Sequence, residues 1–151
     1  MVGADPAAEQ VILRSGAEQR LALPAGVRVE VLCPGHRDPH TLPARPSLAR
    51  KLGKADLLIY NGLELEIGWL PLLVDAARNP RLKPGQPGEL NCSLALAPGD
   101  ILEAPHGELD RSGGDVHPLG NPHYLLDPHL GGKVSHLLAH RLADLDPAGA
   151  E

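Results

Sequence analysis

Residues 46–62 read Pro-Ser-Leu-Ala-Arg-Lys-Leu-Gly-Lys-Ala-Asp-Leu-Leu-Ile-Tyr-Asn-Gly, and this stretch decides the fold class. Pro46-Ser47 opens a helix over residues 46–54, with Leu48 and Leu52 at i and i+4 on its inner face. Leu57-Leu58-Ile59-Tyr60 is a short unbroken apolar run closed by Asn61-Gly62, which suits a strand buried on both faces. Upstream, Val27-Arg28-Val29-Glu30-Val31 alternates apolar and polar, then turns apolar and stops at Pro34-Gly35. That pattern predicts a strand over residues 27–33. Strand, helix, strand is the order of a parallel βαβ unit. The expected fold class is therefore α/β, a small parallel sheet flanked by helices, with residues 28–33 parallel to 57–60.

Working outward, a second helix is expected over residues 68–78. Pro71 must sit in its first turn, because in a helix interior proline costs about 3 kcal/mol. Residues 79–88 form a Pro/Gly-rich loop, Glu89–Ser93 suits a short strand, and residues 94–122 look mostly irregular. The clearest helix is the last. Asp127 caps it and Pro128 opens it. Leu130, Val134, Leu137, Leu138, Leu142 and Leu145 then line one apolar face up to Asp146-Pro147. At the other end, Asp5-Pro6 with Leu13, Ala17 and Leu21 at i, i+4 and i+8 suggests a weak helix within residues 5–26. Gly16 weakens it, and Val11-Ile12-Leu13 competes as a short strand.

The 151 residues fit one domain. Fourteen basic and nineteen acidic residues leave a net charge of −5 without a clustered basic surface, which argues against a nucleic-acid partner. Seventeen glycines and sixteen prolines make the chain loop-rich, and with no phenylalanine the core must be Leu, Val and Ala. Two cysteines, Cys33 and Cys92, are too few for a disulfide framework; soft ligands or a disulfide are conceivable, but small buried hydrophobes fit better. The first residues lack the basic and apolar regions of a signal peptide, and no apolar run approaches the ~20 residues of a membrane span.

Chemistry concentrates in two histidine loops. One is His36-Arg37-Asp38-Pro39-His40, at the carboxyl end of the first expected strand. The other lies in residues 114–128, where His117 and His123 stand among three prolines and two glycines. Open parallel sheets bind ligands beyond the carboxyl ends of their strands. Two such loops converging there would form a transition-metal site, since neutral imidazole is the commonest metal ligand. By spacing alone, a solvated loop with exposed histidines explains residues 114–128 better than a ligand loop does. His129, His136 and His140 fall opposite the leucine face of the last helix and suit a solvated stripe. His36 and His106 carry no assigned role.

Residues 27–128 resemble the N-terminal lobe of the zinc/manganese substrate-binding proteins of metal ABC transporters. The matching pieces run in order: Val29-Glu30-Val31-Leu32, Asp38-Pro39-His40, Arg45-Pro46-Ser47, then Ala55 through Glu66 and Gly68-Trp69-Leu70. Arg78-Asn79-Pro80 and Pro84 through Gly88 follow. Asp110-Arg111-Ser112, Gly114 through Pro118, Gly120-Asn121-Pro122-His123-Tyr124 and Asp127-Pro128 complete the series. The last helix resembles the family's long linker helix.

The resemblance implies a lobe over residues 1–127 whose first strand is not evident, a linker helix and tail over 128–151, and a C-terminal lobe that this sequence does not contain. It implies no enzyme activity. The implied ligand is a divalent transition metal, Zn2+ or Mn2+, held by His40 and His123, with His117, Asp38 and Asp115 as additional ligands or as groups orienting the imidazoles. An ABC transporter permease is the implied partner, and a periplasmic or cell-surface location is implied although no export signal is read here. Leu130, Val134, Leu138 and Leu142 would be left uncovered and could drive self-association. A non-binding remnant or interaction module is the alternative. A zinc hydrolase ranks lower, since no H-E-x-x-H and no evident general base accompany His123.

Overall fold

The computed structural model describes residues 11–15, 17–21, 27–102 and 116–149. The chain divides into two compact units, residues 1–37 and 38–151.

The first unit contains strands β1 (Val11–Ser15) and β2 (Ala17–Leu21), paired antiparallel from Val11 opposite Leu21 to Ser15 opposite Ala17. This overturns the helix expected within residues 5–26. The β-branched pair Val11-Ile12 favours extended backbone, and Gly16 is a poor helix residue, so local preference and pairing agree on strands. Residues 27–33 form no strand, which corrects a second expectation. Val27, Val29 and Val31 are 39%, 41% and 52% exposed, so their alternation is not converted into a buried face. Strand preference is realised only against a packed, paired neighbour.

The second unit opens with helix α1 (Pro46–Leu52), then strand β3 (Leu58–Tyr60), helix α2 (Leu70–Ala77), strand β4 (Glu89–Asn91) and helix α3 (Pro128–Leu145). β3 and β4 pair in parallel, with Leu58, Ile59 and Tyr60 opposite Glu89, Leu90 and Asn91. A parallel βαβ unit therefore exists, but the strand paired with β3 is residues 89–91, not 28–33. Parallel neighbours need a crossover, and α2 supplies it. Pro71 lies in the first turn of α2, as the missing N–H of proline requires.

Leu52, Leu73, Leu82 and Leu90 are exposed by 3% or less and form the centre of the core between the helices and the sheet. Each such leucine contributes about 2 kcal/mol by burial. Asn79 ties the connections together: its side-chain amide donates to the carbonyls of Leu52 at 3.0 Å, the last residue of α1, and of Ala55 at 2.9 Å, just beyond it.

Helix α3 starts where the sequence places it. Asp127 Oδ1 accepts the His129 backbone N–H at 2.8 Å, and Pro128 occupies the first turn. Leu130 packs in a cluster with Leu63, Cys92 and Tyr124, against which Leu96, Ile101 and Val134 also lie. The expectation that Leu130 and Val134 would be uncovered is thus corrected; Leu142, further along, is 45% exposed. Arg141 reaches the other end of the sheet and donates to the carbonyls of Pro87 at 2.7 Å and Glu89 at 2.6 Å. Among the described residues no helix is long and apolar enough to cross a membrane.

Candidate metal centre

Strand β3 ends at Tyr60, and the chain turns at once through Asn61-Gly62-Leu63-Glu64. Gly62, Leu63 and Glu64 have φ of +87°, +50° and +64°. Left-handed backbone at a non-glycine residue is strained by about 1–3 kcal/mol and persists only where the surroundings hold it. A Cβ on Gly62 would lie 2.0 Å from Asn91 Oδ1, so the close approach of this turn to the end of β4 needs glycine. Glu66 secures the turn from inside: its two carboxylate oxygens accept the backbone N–H groups of Asn61 at 2.9 Å and Gly62 at 3.2 Å. Burial pushes the Glu66 carboxyl above its ordinary range, while those two N–H groups pull it back.

The two histidine loops meet beside this turn. In the first, Asp38 uses one oxygen twice. It accepts the His40 backbone N–H at 2.9 Å and lies 2.7 Å from His40 Nδ1. These contacts hold the Asp38 carboxyl below the usual carboxylate range, the backbone hydrogen bond contributing most. A carboxylate can only accept, so His40 Nδ1 carries a proton, and in the neutral imidazole Nε2 is then the nitrogen with the lone pair. That lone-pair nitrogen lies 3.1 Å from Nε2 of His117.

In the second loop the His117 carbonyl accepts the Gly120 N–H at 3.2 Å, which turns the chain back on itself. Gly120 has φ +106°, and a Cβ there would fall 2.3 Å from the Ile101 side chain. Asn121 Oδ1 then accepts the His123 N–H at 2.9 Å. The reversal brings His123 to the other two imidazoles. Ring centroids are 5.2 Å apart for His40–His117, 5.5 Å for His40–His123 and 6.3 Å for His117–His123. One nitrogen from each ring lies within 4.8 Å of the others, with His40 and His117 partly buried and His123 exposed.

This arrangement has the chemistry of a metal site. Zinc–nitrogen bonds of about 2.0–2.1 Å at tetrahedral angles require ligand nitrogens about 3.3–3.4 Å apart. The His40–His117 separation of 3.1 Å is close to that spacing, and the wider contacts to His123 need modest closure. A carboxylate on the far nitrogen of a ligand imidazole fixes its tautomer and raises its basicity, which is the part Asp38 is placed to play toward His40. Glu66 spends one lone pair of each carboxylate oxygen on the turn, which fixes its carboxyl group in place.

Of the residues singled out from sequence, His40, His117, His123 and Asp38 come together, His117 fully in the cluster rather than at its margin. Asp115 and His106 lie outside the described residues. Asp127 caps α3, His36 is exposed in the first unit, and His129, His136 and His140 are exposed on α3. Cys92 is buried in the apolar cluster and burial pushes its thiol up to about 11, so it behaves as a small hydrophobe. Sequence reasoning missed Asn61, Glu66, Trp69 and Tyr124. The available signals were a carboxylate inside an apolar run and an indole N–H that burial obliges to find a partner.

The family described as zinc-uptake complex component A, periplasmic, matches residues 22–151. A metal ABC transporter substrate-binding lipoprotein from Streptococcus cristatus is 27% identical over 128 residues, covering 83% of this chain and 37% of the relative. The chain thus spans little more than a third of the length of that curated relative. No solved structure matches it. The family description names an uptake-complex component and the relative's name a substrate-binding lipoprotein, a binding protein and not a catalyst.

Proposed function

The chain belongs to the periplasmic zinc-uptake complex component A family, and from that premise we propose that it binds a divalent transition metal through His40, His117 and His123 as part of an ABC-type uptake system. The metal is the cargo. The observation that carries this reading is the meeting of three imidazole nitrogens within 4.8 Å, one of them tautomerically fixed by Asp38. Zinc is the favoured ion, because an all-imidazole donor set suits zinc whereas manganese prefers carboxylate, carbonyl and water oxygen. Three protein ligands leave one tetrahedral position for solvent or for a group beyond the described residues.

In this reading residues 1–127 form the N-terminal lobe and α3 with the tail forms the linker of a two-lobed clamp. The transporter permease is the partner, and the site of action lies outside the cytoplasmic membrane. Support comes from the family match and from the lipoprotein relative.

Calorimetric zinc titration of the chain and of His40→Ala, His117→Ala and His123→Ala variants tests the site. Each variant should lose affinity by tenfold or more. Zinc binding of ordinary strength by a His40→Ala/His123→Ala double variant would place the site elsewhere.

A further inference from the structure

We infer that Asn61 and Trp69 are positioning residues for the metal centre. From one turn they hold the carbonyls of the two prolines that precede His40 and His123, and so set the separation of those imidazoles. This rests on reading the three histidines as a metal site.

The two histidine loops share one construction. Asp38-Pro39-His40 and Asn121-Pro122-His123 each place an Asx side-chain oxygen on the N–H of its histidine at 2.9 Å. Proline has no N–H, so its carbonyl is the backbone polar group through which the rest of the molecule can grip each turn. Trp69 Nε1 donates to the Pro39 carbonyl at 2.7 Å, and Asn61 Nδ2 donates to the Pro122 carbonyl at 2.7 Å. Both donors stand on the segment 61–69, and Trp69 is buried.

That segment is itself pinned. The backbone N–H of Asn61 is taken by Glu66 at 2.9 Å, and its carbonyl accepts the Tyr124 hydroxyl at 2.6 Å. Tyr124 is the residue after His123, so the second loop is held on both sides of its histidine. Three successive positive φ values at residues 62–64 mark a backbone that its neighbours over-determine. A metal site tolerates ligand displacements of only about 0.2 Å, so a bracket that fixes the peptide before each imidazole acts directly on affinity and geometry.

The test uses the full chain with zinc affinity as one readout and the visible absorption of bound cobalt(II) as the other. Trp69→Phe keeps a buried ring and deletes the N–H. Asn61→Asp keeps the shape and turns the donor into an acceptor facing a carbonyl. Each should lower zinc affinity about 10–100-fold, the usual effect of removing a group that orients a ligand, and should shift the cobalt bands. Leu82→Ala is the control: Leu82 is 1% exposed in the Pro80–Leu82 turn, and the loss should lower stability while leaving the bands in place. If the histidine variants lose binding while Asn61→Asp and Trp69→Phe bind zinc like the wild type, the bracket is refuted and the site stands. If Leu82→Ala shifts the bands equally, the effect is general loosening and the bracket is again refuted. If the histidine variants bind normally, both readings fall. Should Trp69→Phe not fold, Asn61→Asp decides alone.

Discussion

Glu66 is the residue whose charge is set against its surroundings. Burial disfavours its carboxylate, and the N–H groups of Asn61 and Gly62 only partly offset this, so its pKa lies above the ordinary 4.5. A carboxyl whose pKa is raised on folding adds stability that is present below the unfolded value and lost as pH rises through the folded one. The unfolding free energy of the wild type relative to Glu66→Gln should therefore fall as pH rises from the unfolded Glu pKa through the raised one. Urea denaturation of both proteins across that range measures it, and a difference that stays flat or grows would contradict the assignment. His117 teaches the complementary lesson about legibility. In sequence it is one more histidine six positions before His123. Its place beside His40 depends on the 117–120 reversal, which needs a left-handed residue at Gly120 and room against Ile101 that no spacing rule contains.

Among the elements, α3 was the most legible and β3 nearly so, because both are specified locally. Asp127 and Pro128 mark the start of α3, and its leucines recur with a helical period. Removing the cap by Asp127→Ala should lower stability by about 1 kcal/mol, while Asp127→Asn, which also caps well, should keep most of it. Chemical denaturation midpoints of the two variants check this; equal losses would mean that the His129 N–H contact contributes nothing as a cap. The segment 27–33 shows the opposite case. Its alternation is as regular as any in the chain, yet it forms no ladder, because a strand exists only with a partner and the partner of β3 is β4. The 89–91 strand is three residues long and reads weakly by itself, since its pairing comes through the α2 crossover and not from its own composition.

At the scale of the whole molecule, the proposed metal site would link metal to fold. A ligand that binds only the folded chain stabilises it by about 2.7 kcal/mol at a hundredfold excess over its Kd. For a protein of this size that corresponds to a rise in Tm of about 5–10 °C. The wild type should show such a zinc-dependent rise near neutral pH and His40→Ala should not. The rise should vanish on acidification, because a metal and a proton compete for the same imidazole nitrogen. Differential scanning calorimetry with and without zinc, at about pH 7.5 and about pH 5.5, reads both effects, the two values straddling the range where histidines ordinarily protonate. A rise that persisted unchanged at the lower pH would argue against imidazole ligands.

The sequence by itself determined the α/β class, α1, β3, α2 and α3, and the pairing of a Pro-His motif before β3 with another before α3. The elements follow from signals carried within a few residues: apolar period, caps, and proline's fixed φ and missing N–H; the pairing of the two Pro-His motifs came from the resemblance to a known family. Only the tertiary structure decided which strand lies beside β3, that His117 joins His40 and His123, and that Asn61 and Trp69 hold the two histidine loops from one turn. The pairing of β3 with β4 and the contacts His40–His117, Asn61–Pro122 and Trp69–Pro39 join residues from 30 to 77 positions apart. Such pairings depend on loop closure and on which buried polar groups must satisfy one another, and neither is written in local pattern.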